Sequence, residues 1–264
     1  MIRWRLISDG PLSGAVNMAT DEAVLRVADS DTGATPTLRV YGWSEPTVSI
    51  GYLQKAAPFI PCGLPVVRRI TGGRAVLHDI ELTYSIVASC GDAPFAGGIT
   101  AAYSFISGCI IEALKEAGVE ARFARGGARP GGKDACFHTH SRYEVLVDGR
   151  KIVGSSQRRF KNSFLQHGSI LLRTDKRMNS LVFGDGVAER MASLSEFSSI
   201  GEAAFRDSFI RAMSRGLKAR FTVSALGQEE AALREVLIRT RYGTDEWNLG
   251  GSVERRDSAG PSVR

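Results

Sequence analysis

Of four cysteines in the sequence, one stands apart. Cys136 lies in "GGKDACFHTH", a polar, basic, glycine-rich stretch, whereas Cys62 sits in a short Pro/Gly turn and Cys90 and Cys109 lie in the apolar runs "YSIVASC" and "FISGCII". A thiol attacks as its thiolate, and nearby cations favour that form. Lys133, Arg142 and Lys151 are close to Cys136 in sequence. The plain alternative is an idle surface cysteine. Lys151 follows in "DGRKIVGSSQ". Strand alternation places Lys151 with Val153 on one face, and Ile152 with Gly154 on the other. If Ile152 packs inward, Lys151 faces solvent. If the sheet is covered on both sides, Lys151 points into a cleft, where a lysine polarises a carbonyl, holds an oxyanion or takes a proton.

Further candidates surround a glycine pair in "RRITGGRAVLHD", residues 68–79. Gly72 and Gly73 permit a tight turn and close approach of backbone to a ligand. Arg68, Arg69 and Arg74 flank it, so the turn is either a cradle for a phosphate or phosphopantetheine arm or an ordinary hairpin turn. It lacks the GK[ST] ending of a P-loop and is no GxGxxG fingerprint. His78 beside Asp79 is a candidate oriented base. His167, in "LQHGSILL", reads as a packing residue at a strand start. His138 and His140 are two apart without a third ligand, and no CxxC pair occurs, so no metal site or cofactor is expected. "GSSQ" and "GGS" lack the GxSxG elbow of serine hydrolases.

These residues need a scaffold. "WRLIS" reads as a strand, and Ser13 as the cap of a helix through "AVNMATDEAVLRVAD" with Val16, Ala19, Ala23 and Val24 near one face. "TLRVYGW" and "TVSIGYL" are strand-like runs around the turn "SEPT"; "VVRRITGG" and "ELTYSIVAS" follow as strands. A helix is expected over 101–117, closed by Gly118. The stretch "ARGGARPGGKDACFHTH" reads as a long functional loop. Asp148-Gly149 signals a hairpin between two strand-like runs. "FLQHGSILLR" adds a strand, helical pattern begins near Asn179, and helices are expected near 201–218 and 227–240. The expected fold is α/β (α+β): a mixed, largely antiparallel sheet flanked by helices. It forms one catalytic domain over 1–250, with a disordered polar tail at 251–264.

The chain has 264 residues, 43% hydrophobic and 23% charged, enough to bury a real core. The amino terminus lacks a signal-peptide pattern and no apolar run spans a bilayer, which points to the cytoplasm and away from membranes. Net charge is +6. Such a surface attracts acidic partners, but zinc-finger spacing, an RNP motif and like-charge blocks are all missing, so nucleic acid is not expected.

The motifs in series are more telling than any one of them. "NMATDEAVL", "TLRVYGWSEPTVSIGYLQ", "RRITGGRAVLHDIELTYSI", "CFHTHSRYEVLVDGRKIVGSSQRR" and "LQHGSILL" come in order from Asn17 to Leu172, with "YGTDEWN" near 242–248. This resembles the biotin/lipoate protein ligase superfamily, and within it most closely the LipM-type octanoyltransferases. The resemblance implies transfer of octanoate from acyl carrier protein to a lysine of a lipoyl domain, carried by glycine cleavage H protein or a 2-oxoacid dehydrogenase E2. It implies that Cys136 is the acyl-accepting cysteine and Lys151 the lysine shared across the superfamily. Arg69, Gly72, Gly73, Arg74 and His78 then belong to the glycine-turn motif of the acyl tunnel. Gly154, His167 and Gly168 fall in strands beside it. His138 and His140 gain no role. The ATP-dependent lipoate ligases, the alternative, usually read "SGGGAVYHD", with a third glycine where this sequence has Arg74, and lack the cysteine. A non-catalytic acyl-binding adaptor has no need of either Cys136 or Lys151.

Overall fold

The computed structural model describes residues 2–124 and 144–250. In chain order the elements are β1 (Ile2–Leu12), α1 (Gly14–Ser30), β2 (Thr37–Trp43), β3 (Thr47–Ile50), β4 (Val66–Arg68), β5 (Val76–His78), β6 (Glu81–Ser89), α2 (Gly98–Glu116), β7 (Arg122–Phe123), β8 (Val145–Val147), β9 (Arg150–Lys151), β10 (Val153–Arg159), β11 (Ser163–Leu171), α3 (Lys176–Phe183), α4 (Glu202–Leu217), β12 (Ala219–Val223), α5 (Gln228–Leu237) and α6 (Asp245–Asn248). The main sheet has six strands in the order β10-β11-β6-β2-β1-β12. Its β10/β11, β11/β6 and β6/β2 pairings are antiparallel, and β2/β1 and β1/β12 are parallel. Two three-stranded sheets, β4-β3-β5 and β7-β8-β9, complete it. This is the mixed, mostly antiparallel, helix-flanked sheet expected from the sequence.

Strand alternation divides the main sheet into two unlike faces. Leu38, Val40, Leu82, Tyr84, Ile86, Phe164 and Ile170 share one core with residues of α2 and α4. The alternate residues of the same strands include Arg39, Tyr41, Trp43, Thr83, Ser85, His167 and Ser169, all buried. Helix α1 covers this second face. Ser13 Oγ accepts a hydrogen bond from Val16 N at 3.4 Å and starts the helix. Ala19, Ala23 and Val24 are buried as the helical period requires, and Val16 is half-buried. The same buried side also carries Asn17, Asp21 and Glu22. Buried polar groups on both sides of one interface must satisfy each other, and that interface leads to the site described below.

Two arginines show how the smaller sheet is held. Arg68 is fully buried and donates to the carbonyl oxygens of Gly51, Tyr52, Gln54, Trp247, Asn248 and Gly250. It ties α6 to the loop after β3. The neighbouring Arg69 braces the glycine turn. Glu22 accepts from Arg26 and Arg241 at 2.6 and 2.8 Å and from the Tyr242 hydroxyl, fastening the turn after α5 to α1.

The elements differ from the sequence reading in four places. β2 and β3 flank "SEPT" but enter different sheets, so that turn is a crossing point. His167 lies in the middle of β11, paired with Ser156 on one side and Ser85 on the other, not at a strand start. The short edge strand β12, right after α4, carries too few residues to show a period. The helical stretch expected from Asn179 is α3, which begins at Lys176 and is capped by Asp175. The polar tail at 251–264 lies outside the described residues.

Candidate active site

A cleft of about 780 Å³, counted with its open mouth, lies between the main sheet's polar face, the β3–β5 sheet and the β8–β9 hairpin. Val76, Leu77, Val153, Leu171, Phe183 and Met191 give it apolar walls. Arg69, Gly73, Arg74, His78, Lys151, Gly154, His167 and Gly168 also border it. Residues read from distant stretches of sequence thus meet in one place. Gly72 contributes through its carbonyl, which accepts from Arg69 Nη2 at 2.8 Å. Cys136, His138 and His140 lie outside the described residues.

Lys151 is delivered by a hairpin. Asp148 and Gly149 both have positive φ, 49° and 75°, the signature of the tight turn that Asp-Gly favours. This turn sets Leu146 opposite Lys151 and Val147 opposite Arg150. Lys151 is 4% exposed, yet Ile152 is also wholly buried. The alternatives posed by simple alternation therefore fail: Ile152 packs inward and Lys151 is still buried. The strand is interrupted at Ile152, between β9 and β10. The interruption brings Lys151 to the side of Gly154, where an added Cβ would lie 3.9 Å from Lys151 Cε. The lysine stays in place because Ala192 N donates to its carbonyl at 2.9 Å. Its Nζ donates to Glu144 Oε1 at 2.9 Å.

The glycine turn is stitched from within. Arg69 Nη1 donates to Ser49 O at 3.0 Å, and Nη2 to the carbonyls of Gly72 and Arg74 at 2.8 Å each. Much of this guanidinium's donor capacity is spent on the turn, so Arg69 shapes the site more than it offers a phosphate cradle. Gly73 has φ 88°, and its carbonyl would lie only 2.0 Å from a Cβ at Gly51. Gly168 is equally constrained, because a Cβ there would stand 2.7 Å from Gly154 O and 2.8 Å from the Tyr84 ring. Thr71 Oγ1 joins the turn to β10 through Ser156 Oγ at 2.8 Å.

Two carboxylate–histidine–hydroxyl chains form the floor. Glu81 Oε1 lies 2.8 Å from His78 Nδ1, and His78 Nε2 lies 2.7 Å from Ser49 Oγ. The carboxylate that orients His78 is therefore Glu81 and not the adjacent Asp79. His78 stacks on Trp43 at 3.9 Å. Burial pushes the Glu81 carboxyl up, but His78, Ser169 and Thr83 outweigh it and hold the group below its ordinary value. In the second chain Asp21 Oδ2 lies 3.0 Å from His167 Nδ1, and His167 Nε2 lies 2.7 Å from Thr71 Oγ1. Asp21 also receives Arg39, Tyr41 and Ser85 at 2.8 Å each. Burial opposes the Asp21 charge, yet His167, Arg39 and Tyr41 outweigh it and keep its pKa below the ordinary 3.8. Burial pushes His167 below 6.5 despite Asp21. A neutral His167 donates through Nδ1 and accepts through Nε2, which fits its place between a carboxylate and a hydroxyl. None of the acids was visible as a site residue in sequence; Asp21 and Glu81 show only as charges at positions whose period is buried.

Both depressed pKa values act on stability in one direction. Asp21 and His167 are harder to protonate folded than unfolded, so unfolding takes up protons as pH falls. His167 stabilises fully above 6.5 and progressively less below it; Asp21 follows below 3.8. The Tm should therefore fall between pH 7 and pH 5. In His167→Gln the Tm should be lower at pH 7 but decline less steeply. Equal slopes in the two proteins would take His167 out of this account.

Among the described residues, no cysteine borders the cleft and no group of His, Cys, Asp and Glu forms a metal-binding cluster. Burial raises the Cys90 thiol and pushes Cys109 to about 11.

Residues 13–217 match the lipoyl protein ligase A/B catalytic domain. Octanoyltransferase LipM of Brevibacillus brevis is 39% identical, covering 94% of this chain and 99% of its own. Octanoyltransferase LipM of Carboxydothermus hydrogenoformans is likewise 39% identical, over 94% of this chain and 98% of the relative. A bi-partite lipoate protein ligase from Thermoplasma acidophilum, described with its E2 lipoyl domain, superposes with a TM-score of 0.80 at 27% identity, over 97% of this chain and all of that one.

Proposed function

The chain belongs to the lipoyl protein ligase A/B catalytic-domain family, and from that premise we propose how it works: it is an octanoyltransferase of lipoate synthesis that moves octanoate from acyl carrier protein, through a thioester on Cys136, to a lysine of a lipoyl domain. The acceptor is glycine cleavage H protein or a 2-oxoacid dehydrogenase E2, and the reaction runs in the cytoplasm. No helix among the described residues is long and apolar enough to cross a membrane. What supports the reading most is Lys151, a buried cation at the edge of an apolar-walled cleft.

The chemistry needs a nucleophile, a site for negative charge and a dry place for the chain. Cys136 thiolate attacks the carbonyl carbon of the donor thioester. A carbon–sulfur bond forms, and the carbonyl oxygen becomes an oxyanion facing the Lys151 ammonium. Collapse breaks the bond to the carrier's thiol, which leaves with the proton that Cys136 gave up. The acceptor amine then attacks the new thioester through a second oxyanion of similar shape. Its surplus proton returns to the departing Cys136 sulfur. Protons balance over the cycle. The donor thioester supplies the driving force, so neither ATP nor a redox cofactor is needed.

Burying the octanoyl chain contributes about 0.8 kcal/mol per methylene, several kcal/mol in all. Leu77, Leu171, Phe183 and Met191 are suited to that part of the cleft. The net charge of +6 draws an acidic carrier protein, and added salt should slow encounter.

The test mixes the protein with octanoyl-acyl carrier protein and a lipoyl domain, without nucleotide, and weighs both proteins. An octanoyl adduct on this chain that passes to the lipoyl domain is the expected result. Modification that occurs only with ATP and free acid would make it a ligase.

A further inference from the structure

Behind one apolar wall of the cleft lies a second, smaller cavity of about 250 Å³, counted with its open mouth. Leu77, Leu171 and Met191 border both spaces and divide them. The far side of that partition is rich in oxygen. Asp79, Thr174, Asp175 and Asn179 line it. Asn179, in α3, is 5% exposed. Its backbone N and its Nδ2 both donate to Asp175 O, at 3.1 and 2.9 Å. These bonds fix the amide, and its buried Oδ1 has no hydrogen-bond partner. Thr174 Oγ1 is also buried without one. Buried polar atoms normally find partners, so two orphans beside one cavity point to something that fills it.

The charges nearby say what kind of group that is. Burial raises the Asp79 carboxyl, Asp175 and Glu81 raise it further, and only then does Arg173 lower it. Asp175 spends Oδ1 on Met178 N at 2.9 Å, which caps α3. A carboxylate has lone pairs to spare beyond one such bond. A hydrogen-bond donor alone would satisfy Asn179 but leave the two carboxylates opposed. A cation does both. We propose that this cavity takes a hard divalent cation of the magnesium–calcium class, held by Asp79, Asp175, Asn179 Oδ1 and Thr174 Oγ1 with water completing the shell. An all-oxygen set with two negative charges suits such an ion, whereas zinc and copper favour nitrogen and sulfur. Asp79 leads from β5 into β6, and α3 carries Phe183 into the cleft wall. The ion therefore braces that wall from behind and takes no part in the bond-making steps.

The test uses the full chain, stripped with a chelator and dialysed. MgCl2 and CaCl2 are titrated in separately by calorimetry, with NaCl at matched ionic strength as control, and the Tm is followed in parallel. One saturable site per chain is expected, with a Tm rise of about 5 °C or more once the ion stands about a hundredfold above its Kd. The tighter of the two ions reports the size of the site. In Asp79→Asn binding should weaken at least about tenfold, because ligand charge sets affinity. Without metal that variant should melt no lower than metal-free wild type, since it loses a like charge beside Asp175 and Glu81. Asn179→Asp adds a third carboxylate: its Tm should fall without metal and recover with it, and the ion should bind more tightly than to wild type. No saturable binding of either ion overturns the proposal, as does a Tm rise that survives Asp79→Asn undiminished. If Asn179 needs a hydrogen-bond donor and no ion, Asn179→Asp stays destabilised with either salt, which overturns it equally.

Discussion

Replacing Cys136 by alanine is expected to give a protein that folds as wild type does, gains no octanoyl mass, and transfers octanoate at least about 1,000-fold more slowly. The size of the loss follows from the lack of a substitute. Cys109 is buried with its thiol pushed up to about 11, so almost none of it is thiolate at neutral pH. Burial also raises Cys90, and no described cysteine borders the cleft. What remains is direct attack of the acceptor amine on the bound donor, with the cleft supplying only binding and charge. Intact mass after mixing with octanoyl-acyl carrier protein reads the first half-reaction, and octanoyl-lipoyl domain reads the second. The removed group is one sulfur atom in a polar stretch, so the melting temperature should stay within a few degrees. A Cys136→Ala protein that transfers at the wild-type rate would end the thioester mechanism. If the variant works with ATP and free acid as well as wild type does, the protein is a ligase and Cys136 has no catalytic duty.

Much of this site is legible in the sequence because local rules act without interference there. Asp148-Gly149 marks a turn by backbone conformation alone, and the structure has positive φ at both positions. Ser13 caps α1 as its type suggests. The order of the glycine turn, "DGRKIVGS" and "QHGSILL" places three segments in one family pattern. Other features depend on contacts far apart in the chain. Asp21 and His167 are 146 positions apart and meet only because α1 lies across β11. Arg69 looks like an anion binder beside two glycines, but its donors are turned back onto the carbonyls of its own turn. The rotation of Lys151 toward Gly154 needs an interruption at Ile152 that alternation cannot foresee. Glu144 is the intermediate case: the turn type fixes its register with Lys151, so it was derivable once the hairpin was taken as a pairing and not merely as a bend.

Lys151→Met is expected to slow acylation of Cys136 by about 100-fold or more, the usual cost of losing a donor to a developing oxyanion. Methionine keeps most of the stem's volume, so the apolar wall is disturbed little. The single substitution also takes from Glu144, a nearly buried carboxylate, the cation 2.9 Å away. Breaking such a pair from one side destabilises, whereas removing both partners is often tolerated. The double variant Lys151→Met/Glu144→Gln should therefore regain thermal stability and stay as slow as the single one. That split separates lost chemistry from lost folding. Lys151→Arg keeps the charge, but its broad planar head does not fit where a point charge packs beside Gly154, and an intermediate rate is expected. Single-turnover measurements divide the effect between steps. An oxyanion forms once when Cys136 is loaded and again when the lipoyl lysine takes the acyl group, so both steps should slow alike. Slowing of the second step alone would instead make Lys151 the acceptor of the amine's proton. A wild-type rate in both steps would remove it from the mechanism and leave the buried pair with Glu144 as architecture.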